Sequence, residues 1–265
     1  MTRIVHLSDL HFGAHEPDLI DPLLAAVEAA RADLIVVSGD LAHRGTPGQF
    51  RLAKAFLDRV PGPLLCVPGN HDLPHWNPLL RVFGPYRRYH RAAGPEMAPV
   101  WQNADTLAAG INTADRWQWK RGYVSDAQRA KLSETFATAE DRSRVLVMHH
   151  PLEHAALSVD PLMHGAKDTL ATLTEAGVQV VLSGHVHVSY SGPFRDAPGV
   201  LFVQAGTALS TRRRGEANGF SLLDLSADHA QVTIHRAGRT GFEPVVVDDF
   251  QRHDGAWQRL PSWAA

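Results

Sequence analysis

At 265 residues and 44% hydrophobic, the chain can bury a full core and fits a single domain spanning 1–265. With 26 Lys and Arg against 28 Asp and Glu, the formal net charge is −2, so the basic footprint of a nucleic-acid-gripping protein is absent. No run of about 18 apolar residues is available to cross a membrane, and the opening Met1-Thr2-Arg3-Ile4-Val5-His6 lacks the apolar stretch of a signal peptide. The expectation is a cytoplasmic protein with neither a membrane nor a nucleic-acid partner. Cys66 is the sole cysteine, which excludes an internal disulfide and leaves core filling as its role. The compositional oddity is the 16 histidines, whose positions matter more than their number.

Ile4 to Leu7 reads as a strand, followed by the polar loop Ser8-Asp9-Leu10-His11-Phe12-Gly13. From about Asp18 to Ala32, Leu19, Leu23, Ala26, Val27 and Ala30 recur at helical spacing, and Pro22 sits in the first turn, where its missing N–H costs little. Leu34-Ile35-Val36-Val37 is a continuous apolar run, as in a sheet covered on both faces, and it ends in Ser38-Gly39-Asp40. A helix from Pro47 to Val60 puts Phe50, Ala53, Phe56 and Leu57 on one face. The strand Leu64 to Val67 then closes on Pro68-Gly69-Asn70-His71-Asp72. This alternation predicts layered α/β construction, with function on the loops past the strand ends.

Residues 73–104 read as an irregular excursion near the site, with short helices between Pro74, Pro78, Pro85, Pro95 and Pro99. Its arginines, Arg81, Arg87, Arg88 and Arg91, either meet a substrate phosphate or stay solvated or paired at the surface. Regular structure resumes from Thr106 to Ile111, and Ser125-Asp126-Ala127-Gln128 fits a capping box for a helix reaching about Ala139. The strand Arg144 to Met148 ends in His149-His150-Pro151, and a helix from about Lys167 to Ala176 stops at Gly177. Gln179 to Leu182 runs into Ser183-Gly184-His185-Val186-His187, where Gly184 permits a tight exit. Val200–Val203, Phe220–Leu225 and Gln231–His235 read as short strands completing a second sheet. The tail, 241–265, has one strand-like piece, Val245–Val247. It is either an edge strand or a contact for another subunit, which leaves a homo-oligomer open.

The strand ends collect Asp9, His11, Asp40, Asn70, His71, His149, His185 and His187. Singly, each is ordinary: Asp in Gly-Asp and Asn before His are usual turn residues, and a lone loop His is more often hydrogen-bonded than ligating. Jointly, five polar clusters each ending an apolar strand point to a metal site. Carboxylate, imidazole and carboxamide donors suit Mn, Fe, Zn or Ni; the lack of thiolate argues against structural zinc, and the nitrogen content against calcium. The donors exceed what one ion needs, and a shared carboxylate bridging two ions would use them all.

The series Asp9-x-His11, Gly39-Asp40, Gly69-Asn70-His71-Asp72, His149-His150-Pro151 and Gly184-His185-x-His187 resembles the calcineurin-like metallophosphoesterase superfamily, with the motifs in family order. Within it the chain is most similar to the bacterial class III cyclic-nucleotide and glycerophosphodiester phosphodiesterases. The resemblance implies a four-layer α-β-β-α sandwich of two mixed sheets flanked by helices, and two divalent or trivalent metal ions, with Mn and Fe favoured. It implies Asp9, His11, Asp40 and His187 on one ion and Asp40, Asn70, His149 and His185 on the other, with Asp40 bridging and His150 behind the ligands. His71 would contact substrate phosphate and assist the leaving group, and Asp72 would orient His71 by accepting its other ring N–H. The implied reaction is hydrolysis of a small phosphodiester by a metal-bridging hydroxide. A phosphomonoesterase, nucleotide pyrophosphatase or nuclease of the same superfamily is the alternative, and a non-catalytic metal-binding scaffold the more distant one. Arg212, Arg213 and Arg214 either flank the pocket or form a solvated turn, and His154 and His164 either reach substrate or lie at the surface.

Overall fold

Apolar runs with no polar face need cover on both sides. The computed structural model, which describes residues 1–154 and 161–261, supplies it by stacking two sheets and laying helices on their outer faces. The first sheet starts from β1 (Thr2–Leu7), β2 (Leu34–Val37) and β3 (Leu64–Cys66), paired in parallel and joined through α1 (Ile20–Ala30) and α2 (Pro47–Leu57). Helix α2 starts at a full capping box: the Thr46 hydroxyl accepts from Gln49 N, the Gln49 side chain accepts from Thr46 N, and Pro47 opens the first turn.

The excursion holds two short helices, α3 (Pro78–Phe83) and α4 (Arg87–Ala93), and then the edge strand β4 (Val100–Gln102). The second sheet follows from β5 (Thr106–Gly110), α5 (Asp126–Ala137), β6 (Ser143–Val147), α6 (Ala166–Glu175), β7 (Val180–Ser183), β8 (Tyr190–Pro193) and β9 (Leu201–Gln204). Its order is β4-β5-β6-β7-β9-β8, with parallel strands in the centre and an antiparallel strand at each edge.

The last strands correct the sequence reading. Of the strands expected to complete a second sheet, only Val200–Val203 does so, as β9. The other two, β10 (Gly219–Leu225) and β11 (His229–Ala237), return to the first sheet, where β10 pairs antiparallel with β1. The tail follows them there: β12 (Phe242–His253) and β13 (Ala256–Arg259) form an edge hairpin, so Val245–Val247 is the middle of a long strand. Residues 262–265 of the expected tail lie outside the described residues. The first sheet therefore reads β13-β12-β11-β10-β1-β2-β3.

Three apolar layers hold the sandwich together. Val5, Leu7, Ile35 and Val37 pack under Leu23, Val27, Phe50 and Phe56 of α1 and α2, with Cys66 buried among them. Leu146, Val181 and Phe202 pack under Leu132, Phe136, Leu170 and Leu173 of α5 and α6. Between the sheets lie Ile4, Leu34, Val36, Val145, Val147, Leu182, Val203, Leu223 and Val232, nearly all fully buried. Each such side chain contributes about 1.5–3 kcal/mol of transfer free energy. No described helix is long and apolar enough to cross a membrane.

Candidate metal centre

The parallel strands of both sheets end on the same side, and the loops leaving them meet there. Asp9 N donates to Gly39 O (3.1 Å), His11 N to Asp40 O (2.9 Å) and Gly184 N to His149 O (3.1 Å), so the loops are cross-tied through their backbones. Asp9, His11, Asp40, His185 and His187 all take positive φ, at 53°, 49°, 56°, 73° and 63°. Left-handed backbone is uncommon for residues with a Cβ and gathers at functional sites. The glycines beside them make room: a Cβ at Gly184 would overlap Ser8 Oγ and reach within 2.6 Å of Asp9 Oδ2. Close approach, and not only a tight exit, is what requires Gly184.

The side chains converge accordingly. Asp9 Oδ1 lies 3.0 Å from His187 Nε2 and 3.5 Å from His11 Nε2, while Asp9 Oδ2 accepts from the Ser8 hydroxyl (2.6 Å) and His185 N (2.9 Å). Asp40 Oδ2 lies 3.6 Å from His11 Nε2 and 3.4 Å from His149 Nε2, and Asp40 Oδ1 accepts from His71 N (2.8 Å). The rings of His149 and His185 are 5.1 Å apart. Each ring is aimed from behind. His149 Nδ1–H donates to Ser38 O (2.7 Å) and His187 Nδ1–H to Arg212 O (2.6 Å), which turns both Nε2 atoms inward. Asn70 Nδ2 donates to Trp119 O (3.3 Å), leaving its Oδ1 as the inward atom.

This donor set fits a metal. Asp9 Oδ1, Asn70 Oδ1 and His149 Nε2 are buried without a hydrogen-bond partner among the described residues, as ligand atoms facing a cation would be. Asp9, His11 and His187 form one group that could hold an ion, Asp9, Asp40 and His149 a second, and His149, His150 and His185 a third. Burial opposes the charge of Asp40, but the facing imidazoles of His149 and His71 outweigh it and hold its carboxyl well below the usual range. Burial opposes the charge of His149 too, yet Asp40 lifts it to about 9. Burial and the neighbouring His149 push His185 down to about 3.

Asp72 departs from expectation. Its carboxylate accepts from Gly69 N (2.9 Å) and Ala42 N (2.8 Å), so it closes its own turn and does not orient His71. The partner of His71 is a backbone carbonyl: Nδ1–H donates to His43 O (2.7 Å), and Nε2 faces Arg212 Nη1 at 3.0 Å. Burial and the Asp40 charge raise the Asp72 carboxyl to about 7.

Above the cluster opens a cavity of about 640 Å³. Asp40, Asn70, His71, His185 and His187 form its floor, and Trp119, His154, Leu162 and Arg212 stand among its walls. Arg213 and Arg214 also line it while remaining exposed, so the arginine run both flanks the pocket and stays solvated, whereas His164 does not line it. The excursion contributes His75 but none of its arginines. Arg81 is instead buried, donating to the carbonyls of Arg116 (2.8 Å), Pro74 (3.3 Å) and Gln118 (2.6 Å), with its guanidinium 4.3 Å from the Trp119 ring centroid. Arg88 donates to Gly45 O (2.6 Å).

Sequence reasoning passed over His43 and Thr207. His43 lies two residues past Leu41 in the Gly39-Asp40 loop, and its ring packs 5.5 Å from His71. Thr207 Oγ1 donates to Asp9 O (2.7 Å) across a separation of 198 residues, a link no local pattern announces.

The chain is similar over most of its length to several known proteins. Over 215 residues the chain is 28% identical to a glycerophosphodiester phosphodiesterase GpdQ of Enterobacter lignolyticus, covering 73% of this chain and 74% of that one. It is 26% identical over 252 residues to a cAMP/cGMP dual specificity phosphodiesterase of Mycobacterium tuberculosis, covering 85% and 76%. The 3',5'-cyclic adenosine monophosphate phosphodiesterase CpdA of Escherichia coli is 25% identical, with 93% and 94% covered. Among solved structures, the yellow lupin purple acid phosphatase PPD1 superposes with a TM-score of 0.67 at 13% identity. That match covers 92% of this chain and 52% of the phosphatase, about half its length, and shows the fold alone. The model of the calcineurin-like phosphoesterases matches residues 2–189, which includes every motif that ends a strand at the cluster. The chain belongs to the calcineurin-like phosphoesterase family.

Proposed function

We propose that the protein is a dinuclear metal-dependent phosphodiesterase acting on small phosphodiesters of the cyclic-nucleotide or glycerophosphodiester type. The observation that carries this reading is Asp40 Oδ2, 3.6 Å from His11 Nε2 and 3.4 Å from His149 Nε2: one carboxylate oxygen serves both halves of the cluster. Asp9, His11, Asp40 and His187 would hold one ion and Asp40, Asn70, His149 and His185 the other, drawn from Mn, Fe, Zn and Ni. Bound there, the ions would supply positive charge for the phosphoryl oxygens and acidify the attacking water.

The chain's own residues do the positioning. His71 is fixed twice, by its backbone N–H on Asp40 Oδ1 (2.8 Å) and its ring Nδ1–H on His43 O (2.7 Å). Its Nε2 therefore faces the cavity, where in the imidazolium form it would contact the phosphate and pass that Nε2 proton to the departing alkoxide, leaving the neutral ring seen beside Arg212. Pro151, Leu162 and Met163 give the cavity an apolar side. A volume of about 640 Å³ suits a small molecule, and the phosphodiesterase names of the relatives support a diester.

The test compares bis(p-nitrophenyl) phosphate with p-nitrophenyl phosphate on metal-stripped protein reloaded with Mn, Fe, Zn or Ni. The diester should turn over faster. Preference for the monoester would overturn the diester assignment and leave the metal site standing.

A further inference from the structure

We propose that Arg212 is a catalytic residue of this reaction: its guanidinium takes a phosphoryl oxygen of the diester beside His71 and stabilises the charge that grows there. The assignment rests on the phosphodiesterase reading and adds to it a residue outside the metal cluster and the Asn70-His71-Asp72 turn.

The loop after β9 is tied down as if to present this side chain. Thr207 Oγ1 donates to Asp9 O (2.7 Å) and accepts from Ser210 N (2.9 Å). Asn218 Nδ2 donates to Ser210 O (2.9 Å), and Ser210 Oγ accepts from Arg212 N (3.0 Å). Arg212 O in turn accepts from the His187 ring (2.6 Å). The backbone of Arg212 is thus locked to a candidate metal ligand, and its side chain lines the cavity with Nη1 3.0 Å from His71 Nε2. The adjacent Arg213 behaves differently and turns to the Glu16 carboxylate (3.5 Å).

An imidazole nitrogen uses one N–H of the guanidinium fork and offers it no counter-charge. A phosphoryl group offers paired oxygens and negative charge, the match for which the planar fork is suited. With its backbone fixed beside the cluster, the guanidinium has only to exchange the His71 nitrogen for a phosphoryl oxygen, and removing one such donor typically costs about 10²–10³-fold in kcat.

The experiment sets Arg212→Ala, Arg212→Lys and Arg213→Ala beside the wild type. It measures bis(p-nitrophenyl) phosphate hydrolysis, metal content and inorganic phosphate binding by calorimetry. Arg212→Ala should keep its metal, lose about 10²–10³-fold in kcat with a smaller change in KM, and bind phosphate at least about tenfold more weakly. Added guanidinium ion should restore part of the Arg212→Ala activity, and Arg212→Lys should fall between the two. Wild-type turnover by Arg212→Ala would overturn the proposal. So would an Arg212→Ala loss no larger than that of Arg213→Ala and abolished by high salt, which would mark a general field and not a placed donor. If the wild type hydrolyses no diester, the phosphodiesterase reading fails on its own. Phosphate binding then decides Arg212, and an unchanged affinity in Arg212→Ala refutes it.

Discussion

Buried polar atoms without partners are costly, on the order of 1–3 kcal/mol each. Asp9 Oδ1, Asn70 Oδ1 and His149 Nε2 make no well-formed hydrogen bond among the described residues, and Asp9 Oδ1 and His149 Nε2 are offset only by the nearby His187 and Asp40, while the same residues' other polar atoms are hydrogen-bonded. Such one-sided satisfaction is what atoms aimed at a cation would show. His71 differs from these residues because both its backbone N–H and its ring Nδ1–H are used to hold Nε2 toward the cavity. His71→Ala is therefore expected to keep its metal and lose about 10²–10⁴-fold in turnover, most of all on esters with poor leaving groups. Steady-state rates across a series of leaving groups check this, and equal losses on good and poor ones would refute leaving-group assistance. At this scale the sequence was largely legible, since Asp9, His11, Asp40, Asn70, His149, His185 and His187 sit where parallel strands must end. The partner of His71 was not. A backbone carbonyl, such as that of His43, has no residue type to betray it, so the adjacent Asp72 carboxylate looked like the natural acceptor.

The elements explain why the cluster is rigid and what shapes its mouth. Parallel strands of two stacked sheets deliver their loops to one edge, where positive-φ residues turn the side chains inward. Helix α3 does a second job through Arg81, which ties the carbonyls of Arg116 and Gln118 in the loop that carries Trp119 to that of Pro74, and the Trp119 carbonyl in turn holds Asn70. Arg81→Met keeps the length of the stem but leaves those carbonyls without their donor. It should lower stability by about 2–3 kcal/mol and raise KM more than it lowers kcat. Urea unfolding together with steady-state kinetics tests this, and unchanged values of both would mean that Arg81 is dispensable. Here the sequence spoke less clearly. Proline spacing announced short helices in 73–104, but nothing local separates an arginine that ties carbonyls from one that awaits phosphate. Likewise β10 and β11 carry ordinary strand patterns, and only the long-range pairing with β1 decides which sheet they join.

At the scale of the molecule, the layer between the sheets is nearly all aliphatic, and β1 introduces His6 on the same face as Ile4. His6 is fully buried, with Nε2 2.8 Å from Ser38 Oγ, and burial pushes it down to about 3. Between about pH 6.5 and about 3 the unfolded chain binds a proton there that the folded chain does not. The contribution of His6 to stability is thus complete above about pH 6.5 and drains as pH falls, by about 1.4 kcal/mol per pH unit. His6→Gln should therefore show a shallower loss of unfolding free energy than the wild type between about pH 7 and pH 5. Parallel slopes in urea titrations would contradict it.

A pair of ions sharing Asp40 is the core of the proposed centre. Its most direct test is a titration of metal-stripped protein with Mn, following bis(p-nitrophenyl) phosphate hydrolysis and bound metal together, for the wild type and Asp40→Ala. Wild-type activity should saturate only when about two ions are bound per chain, and Asp40→Ala should hold neither ion firmly and remain inactive. Full activity with one ion bound, or full metal content in Asp40→Ala, would contradict the shared-carboxylate centre.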